Sequence, residues 1–242
     1  MSTNWRPPCP PQQPRLSAHN LTRIFETGSG AFTALDNVSF DIWAGEFIAV
    51  TGRSGSGKST LINLLAGLDK AMSGTIMAGD EQVEITALGE EHLALWRGRN
   101  AGIVFQYFQL LPALSVVENT CLPMDLGDTH PKAERRDRAM SLLSELGIAD
   151  HADKLPRDLS GGQQQRAAIA RALVNDPAVL FADEPTGNLN SSTGALVMEL
   201  FAVQAKKGHA VIMVTHELDL APYFSRIITL QDGAITSPEV AV

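Results

Sequence analysis

The sequence predicts an α/β fold built on a mostly parallel sheet covered on both sides by helices. Two observations carry this prediction. Short apolar runs of strand length alternate with segments of helical periodicity, and most of those runs are apolar on both faces, as strands buried on both sides must be. In addition, one run, Glu46–Thr51 (EFIAVT), leads straight into a glycine-rich stretch and then a helical pattern. Strand, glycine loop and helix in that order form a βα unit of a parallel sheet.

The elements follow in chain order. Met1–Arg15 holds five prolines (Pro7, Pro8, Pro10, Pro11 and Pro14) and lacks the apolar centre of a signal peptide, so residues 1–15 read as an extended or disordered leader. Leu16–Phe25 and Phe32–Ile42 alternate like half-buried strands around the turn-prone Glu26–Gly30, predicting an antiparallel β subdomain near the N-terminus. After Glu46–Thr51 comes a helix over Thr60–Leu68. A short strand pair in Gly74–Ile85, a helix near Glu90–Arg97 and a strand at Gly102–Phe105 come next. From Ser115 to about Asp153 the pattern is helical. Pro131 opens a segment with apolar Met140, Leu143 and Leu146 on one side and Arg135, Arg136 and Asp137 on the solvated side. This predicts a helical subdomain, approximately 110–160, inserted into a single domain spanning 16–242. Helix Gln163–Val174, strand Ala178–Asp183, helix Ser192–Lys206, and strands Ala210–Thr215 and Ser225–Leu230 complete the chain.

Composition narrows the function. The 242 residues carry 27 acids against 19 bases, a formal net charge of −8. That balance argues against gripping a nucleic-acid backbone, which needs concentrated Lys and Arg. Cys9 and Cys121 are too few for a disulfide framework or a cysteine-rich metal site, and a leader without a signal-peptide centre leads to the expectation of a reducing cytoplasm. No apolar run approaches the ~20 residues that cross a bilayer, so a membrane role is expected to come through a partner.

Three segments carry chemistry. Gly52-Arg53-Ser54-Gly55-Ser56-Gly57-Lys58-Ser59 fits G-x-x-x-x-G-K-[ST], the phosphate-binding P-loop. Its glycines let backbone N–H groups turn inward around an anion, and the following helix adds its positive end. Lys58 can reach the β- and γ-phosphates, and the Ser59 hydroxyl can ligate Mg²⁺. The apolar strand Ala178–Ala182 delivers Asp183 and Glu184 at its C-terminal end, the edge where parallel sheets bind ligands. Asp183 suits the outer sphere of Mg²⁺, and Glu184 suits orientation and deprotonation of an attacking water. Leu159-Ser160-Gly161-Gly162-Gln163 is a second anion-friendly helix start. One chain thus offers two phosphate-facing loops but a single P-loop lysine. A second loop is useful if it serves a nucleotide held by another copy, and a two-fold dimer gives two such sites.

With these segments the chain resembles the ATP-binding subunits of ABC transporters from Leu16 to Ile235. Gly52–Ser59 corresponds to Walker A, Leu159–Gln163 to the LSGGQ signature, Leu180–Glu184 to Walker B with its glutamate, Gln106 to the Q-loop, and Val214-Thr215-His216 to the histidine motif. The resemblance implies a P-loop NTPase core and a head-to-tail homodimer, with each ATP sandwiched between Walker A of one copy and LSGGQ of the other. It implies that Gly52 to Ser59, Thr60 and Ser160, Gly161, Gly162 and Gln163 bind ATP, and that Ser59, Gln106 and Asp183 serve Mg²⁺. Gln106 would also sense the γ-phosphate. His216 would hydrogen-bond that phosphate and hold Glu184 and the water in line. Phe25 would stack on adenine.

Tyr107–Pro112, Leu114–Pro123 and Asp183–Leu189 are most similar to the branch of lipoprotein-releasing and macrolide-exporting ATPases, which work on an integral membrane permease from the cytoplasmic face of the inner membrane. Tyr107, Phe108, Leu110 and Leu111, beside Gln106, are expected to help form a groove, from Tyr107 to about Val117, for a cytoplasmic helix of that permease. One departure is Asn190, where the family's D-loop usually ends in Asp: size is kept and charge is lost. Two alternatives stand beside transport. One is a regulatory ATPase that moves a membrane partner without transporting anything, as in the cell-division relative. The other, a soluble ABC-type ATPase of DNA repair or translation, is disfavoured by the absence of a coiled-coil insertion, a zinc-site cysteine set, a tandem cassette and net basic charge.

Overall fold

The computed structural model describes residues 13–240 apart from 29 and 80, so the leader lies, up to residue 12, outside the described residues. In chain order the first elements are β1 (Leu16–Thr27), β2 (Gly30–Ile42), β3 (Phe47–Thr51), α1 (Lys58–Leu65), β4 (Ser73–Ala78) and β5 (Val83–Glu84). They are followed by α2 (Glu90–Asn100), β6 (Ala101–Val104), α3 (Val116–Gly127), α4 (Lys132–Glu145) and α5 (Gly161–Leu173). The chain ends with β7 (Val179–Asp183), α6 (Ser191–Lys206), β8 (Ala210–Val214), β9 (Arg226–Gln231) and β10 (Ala234–Val240).

The strands form two sheets. An antiparallel sheet has the order β2-β1-β4-β5. A second has the order β10-β9-β3-β8-β7-β6, parallel from β9 to β6 with β10 antiparallel at its edge. The β1–β2 turn is tighter than its composition suggests. Thr27 pairs with Gly30, leaving two residues between the strands, a loop length natural to a twisted hairpin. Helix α1 starts two residues earlier than expected, because the P-loop feeds directly into it through Gly57.

Alternation along the central strands divides the core in two. Phe47, Ala49, Leu180, Ala182, Val211 and Met213 face one side, where they pack with residues of α3, α4, α5 and α6. Ile48, Val50, Val179, Phe181, Ile212 and Val214 face the other, against α1, α2 and the antiparallel sheet. Each buried side chain of this size stabilises the fold by roughly 1.5–3 kcal/mol, so the sheet is anchored from both faces. Between β6 and α5, helices α3 and α4 pack on each other and on α5. Ser115 and Glu118 close a capping box at the start of α3, which explains why the helical pattern begins there.

Candidate functional site

The site lies where β3 and β7 end, at the C-terminal edge of the parallel sheet. Beyond Thr51 the chain turns through Gly52 (φ 147°), Gly55 (φ 79°) and Gly57 (φ 100°), backbone conformations that favour glycine. Gly52 and Gly57 are also pinned sterically. A Cβ on Gly52 would sit 2.3 Å from the Leu230 carbonyl oxygen, and one on Gly57 2.2 Å from that of Ala34. The loop therefore curls around a cavity of about 360 Å³ whose walls include Gly52, Ser54, Gly55, Gly57, Lys58, Ser59 and Thr60. Lys58 Nζ donates to the carbonyls of Gly52 and Arg53, both at 2.9 Å, which folds the ammonium back over the loop. Ser56 is buried and its hydroxyl has no hydrogen-bond partner among the described residues. A loop backbone curled around the cavity, with Lys58, Ser54, Ser59 and Thr60 on its wall, fits a phosphate chain, whose oxygens accept from N–H and hydroxyl groups.

Glu184 and His216 form the far wall of the same cavity. Glu184 follows β7 with φ 46°, an uncommon conformation for a residue with a side chain and one that clusters at functional sites. Its N–H donates to the Val214 carbonyl at 3.0 Å, tying it to the end of β8. His216 Nδ1 lies 3.3 Å from Glu184 Oε1, with the imidazole largely exposed. Burial pushes the Asp183 carboxyl above the ordinary carboxylate value. The Ser59 hydroxyl that donates to it works against this, the Glu184 charge adds to it, and Lys58 opposes it. Ser59, Asp183 and the Gln106 amide are oxygen donors of the kind Mg²⁺ selects. Gln106 lies outside the cavity wall: its side-chain amide nitrogen faces Gly187, and its backbone carbonyl accepts from Asn188 Nδ2 at 2.9 Å.

The aromatic wall differs from expectation. Phe25 pairs across the hairpin with Phe32, and it is Phe32, half exposed, that lines the cavity. Phe25 carries the Arg23 guanidinium 4.6 Å from its ring centre, and Arg23 is itself paired with Asp69 at 3.0 Å. The family resemblance points to Phe25; only the hairpin register reveals that Phe32 stands beside it.

None of Ser160, Gly161, Gly162 and Gln163 lines that cavity. Ser160 is exposed and caps α5, in a capping box with Gln163. A Cβ on Gly162 would come 2.4 Å from Thr193 Cγ2, so α5 meets the start of α6 closely there. Asn190 caps α6, its side chain accepting from Thr193 N and Ser192 Oγ, both at 2.9 Å. The cap role that Asp would fill is thus met without the charge.

Near the other end of α5, Arg171 was not singled out from the sequence. Its guanidinium donates to the carbonyls of Phe108 (2.9 Å) and Gln109 (2.5 Å), two consecutive residues with positive φ. Burial lowers its pKa from the usual arginine value.

Residues 35–187 match the ABC transporter family. The chain is 44% identical, over 91% of its length and 97% of the relative's, to an uncharacterized ABC transporter ATP-binding protein of Methanocaldococcus jannaschii. It is 42% identical to the lipoprotein-releasing system ATP-binding protein LolD of Aquifex aeolicus, over 91% of this chain and 95% of that one. It is also 42% identical to the macrolide export ATP-binding/permease protein MacB of Brucella melitensis, covering 93% of this chain but 34% of that longer protein. Among solved structures, a dimeric bacterial ABC transporter cassette superposes with a TM-score of 0.85 at 38% identity, over 94% of this chain and 99% of that one. A post-hydrolysis dimer of the same cassette with ADP and Pi gives 0.85 at 37% identity, with the same coverage.

Proposed function

The chain belongs to the ABC transporter family, and from that premise we propose that it binds and hydrolyses ATP as a homodimer and thereby drives an integral membrane permease of the lipoprotein-release or macrolide-export type. One observation carries the mechanism. The P-loop cavity brings phosphate donors, Glu184 and His216 together in one chain, while the Ser160 loop stands exposed on a surface that does not line it. Each site is then completed by the Ser160 loop of a second copy; the dimeric state of the similar cassette supports this.

In this reading the P-loop N–H groups bind the phosphates, and Lys58 exchanges its loop carbonyls for phosphate oxygens. Glu184 accepts a proton from water as the water oxygen bonds to the γ-phosphorus and the bond to the bridging oxygen breaks, leaving ADP and phosphate. His216 keeps the Glu184 carboxylate in line. Ser59, Asp183 and Gln106 would hold Mg²⁺, which supplies positive charge to the phosphate oxygens when bound. Phe32, with Phe25 beside it, offers ring faces to the base; such stacking is worth roughly 1–3 kcal/mol in nucleic-acid complexes.

The permease would place the chain at the cytoplasmic face of the inner membrane. Among the described residues no helix is long and apolar enough to cross a bilayer. Tyr107 is 70% exposed and Leu111 44%, apolar side chains beside Gln106 that suit contact with a cytoplasmic permease helix. Leu110 packs instead on the core, so the groove uses only part of the segment. Phosphate release by the purified chain with MgATP, alone and with its co-purifying membrane protein, tests the reading. Release that Lys58→Ala abolishes is expected; no release under either condition overturns it. Replacing Tyr107 and Leu111 with Glu should abolish permease-dependent activity while basal hydrolysis stays near normal.

A further inference from the structure

The loop that carries Ser160 is braced from outside its own motif. Gln163 Oε1 accepts from the Ser160 backbone N–H at 2.8 Å, and because that N–H can only donate, the contact fixes which end of the amide faces the cap. The amide nitrogen points the other way and lies 2.6 Å from His151 Nε2. An NH₂ group also only donates, so Nε2 must be the acceptor and the neutral ring carries its hydrogen on Nδ1. Nδ1 is buried and has no hydrogen-bond partner among the described residues. The Gln163 contact thus imposes a tautomer that strands a buried donor, an arrangement that packing alone would not select, since an apolar ring fills space without it. His151 comes from the turn Ala149–His151 after α4, a different part of the helical region from α5.

We propose that His151 is a positioning residue for ATP hydrolysis. Its imidazole orients Gln163, Gln163 closes the capping box, and the box aims Ser160 at the nucleotide of the partner copy. The inference rests on the composite site proposed above, and His151 itself touches no nucleotide.

The test compares His151→Phe, which keeps a ring and removes the acceptor, with His151→Gln, whose side-chain oxygen can replace it. Turnover against ATP concentration, binding of a fluorescent ATP analogue to the monomer, and thermal unfolding are read together. His151→Phe is expected to lower kcat about 10- to 100-fold, the scale of a small misplacement. Nucleotide binding and melting temperature should be unchanged, and His151→Gln should recover most of the loss. A Gln163→Ala background should make the His151 changes silent, because both act through one contact. Wild-type turnover in His151→Phe overturns the proposal. So does a loss that follows the melting temperature and is not recovered by Gln. If the Phe variant does not fold, His151→Leu in the same cycle with Gln163→Ala decides: additive losses overturn the coupling. Ser160→Arg run in parallel separates the premise, since full activity there would remove the composite site itself.

Discussion

The P-loop before α1 and the loop before α5 both present glycines and a serine to a helix start, yet they treat the free N–H groups of that start in opposite ways. At α1 the N-cap is Gly57, no side chain caps the turn, and the neighbouring Ser56 hydroxyl is buried without a hydrogen-bond partner among the described residues. At α5 the Ser160 side chain and Gln163 satisfy the cap reciprocally. The first loop is held open by its glycines and by contacts with β2 and β9. The second is closed on itself, but through a long bond, 3.4 Å from Gln163 N to Ser160 Oγ, which a stronger acceptor can replace. The loop that curls around the cavity leaves its helix start without a side-chain cap. The loop proposed to serve a second copy keeps its helix-start donors occupied.

The largest expected effect tests the open loop's cavity. Glu184→Gln should keep ATP binding and lose about 10²–10⁴-fold in turnover, the usual contribution of a general base. The stalled protein should elute as a dimer from gel filtration with MgATP, and wild-type turnover would remove Glu184 from the chemistry. Next, Ser160→Arg and Lys58→Ala homodimers should both be silent, whereas their isolated heterodimer retains one intact site of two. A silent heterodimer would show that the sites work only together. A smaller effect separates the loops by stability. Gly57→Ala forces a side chain into a φ of 100° and against the Ala34 carbonyl, and should cost about 2 kcal/mol or more in thermal unfolding. Gly161→Ala, whose Cβ would meet Leu189 and Phe108 at ordinary contact distances, should move stability by about 1 kcal/mol or less. Equal melting temperatures for the two variants would break the contrast.

Much of this was legible in the chain, because glycine, apolar and acidic residues there do local jobs. The P-loop, the continuous apolar runs of β3, β7 and β8, and the carboxylates at the end of β7 follow from residue pattern and turn chemistry alone. What was not legible depends on partners distant in sequence. Strand β10 contains Pro238, which argues against a strand until β10 is seen at the sheet edge, where a missing N–H is tolerated. Phe32 enters the cavity wall only through the hairpin register. The positive φ of Phe108 and Gln109 has no local cause, since neither residue favours it. Arg171 supplies the compensation from 62 and 63 residues away.

That grip gives α5 a mechanical character. Ser160 sits at its N-terminal end and Arg171 near its C-terminal end. At 1.5 Å per residue the two are separated by roughly 16 Å of stiff helix. A lever of that length tilting by ~10° about its signature end would sweep its far end through roughly 3 Å. The two carbonyls clamped by Arg171 would have to follow or let go. They lie beside Tyr107, at the exposed apolar surface next to Gln106. In the dimer and permease arrangement proposed above, displacement at the signature end of α5 is therefore geared to displacement beside Gln106, with the Arg171 guanidinium as the coupling pin.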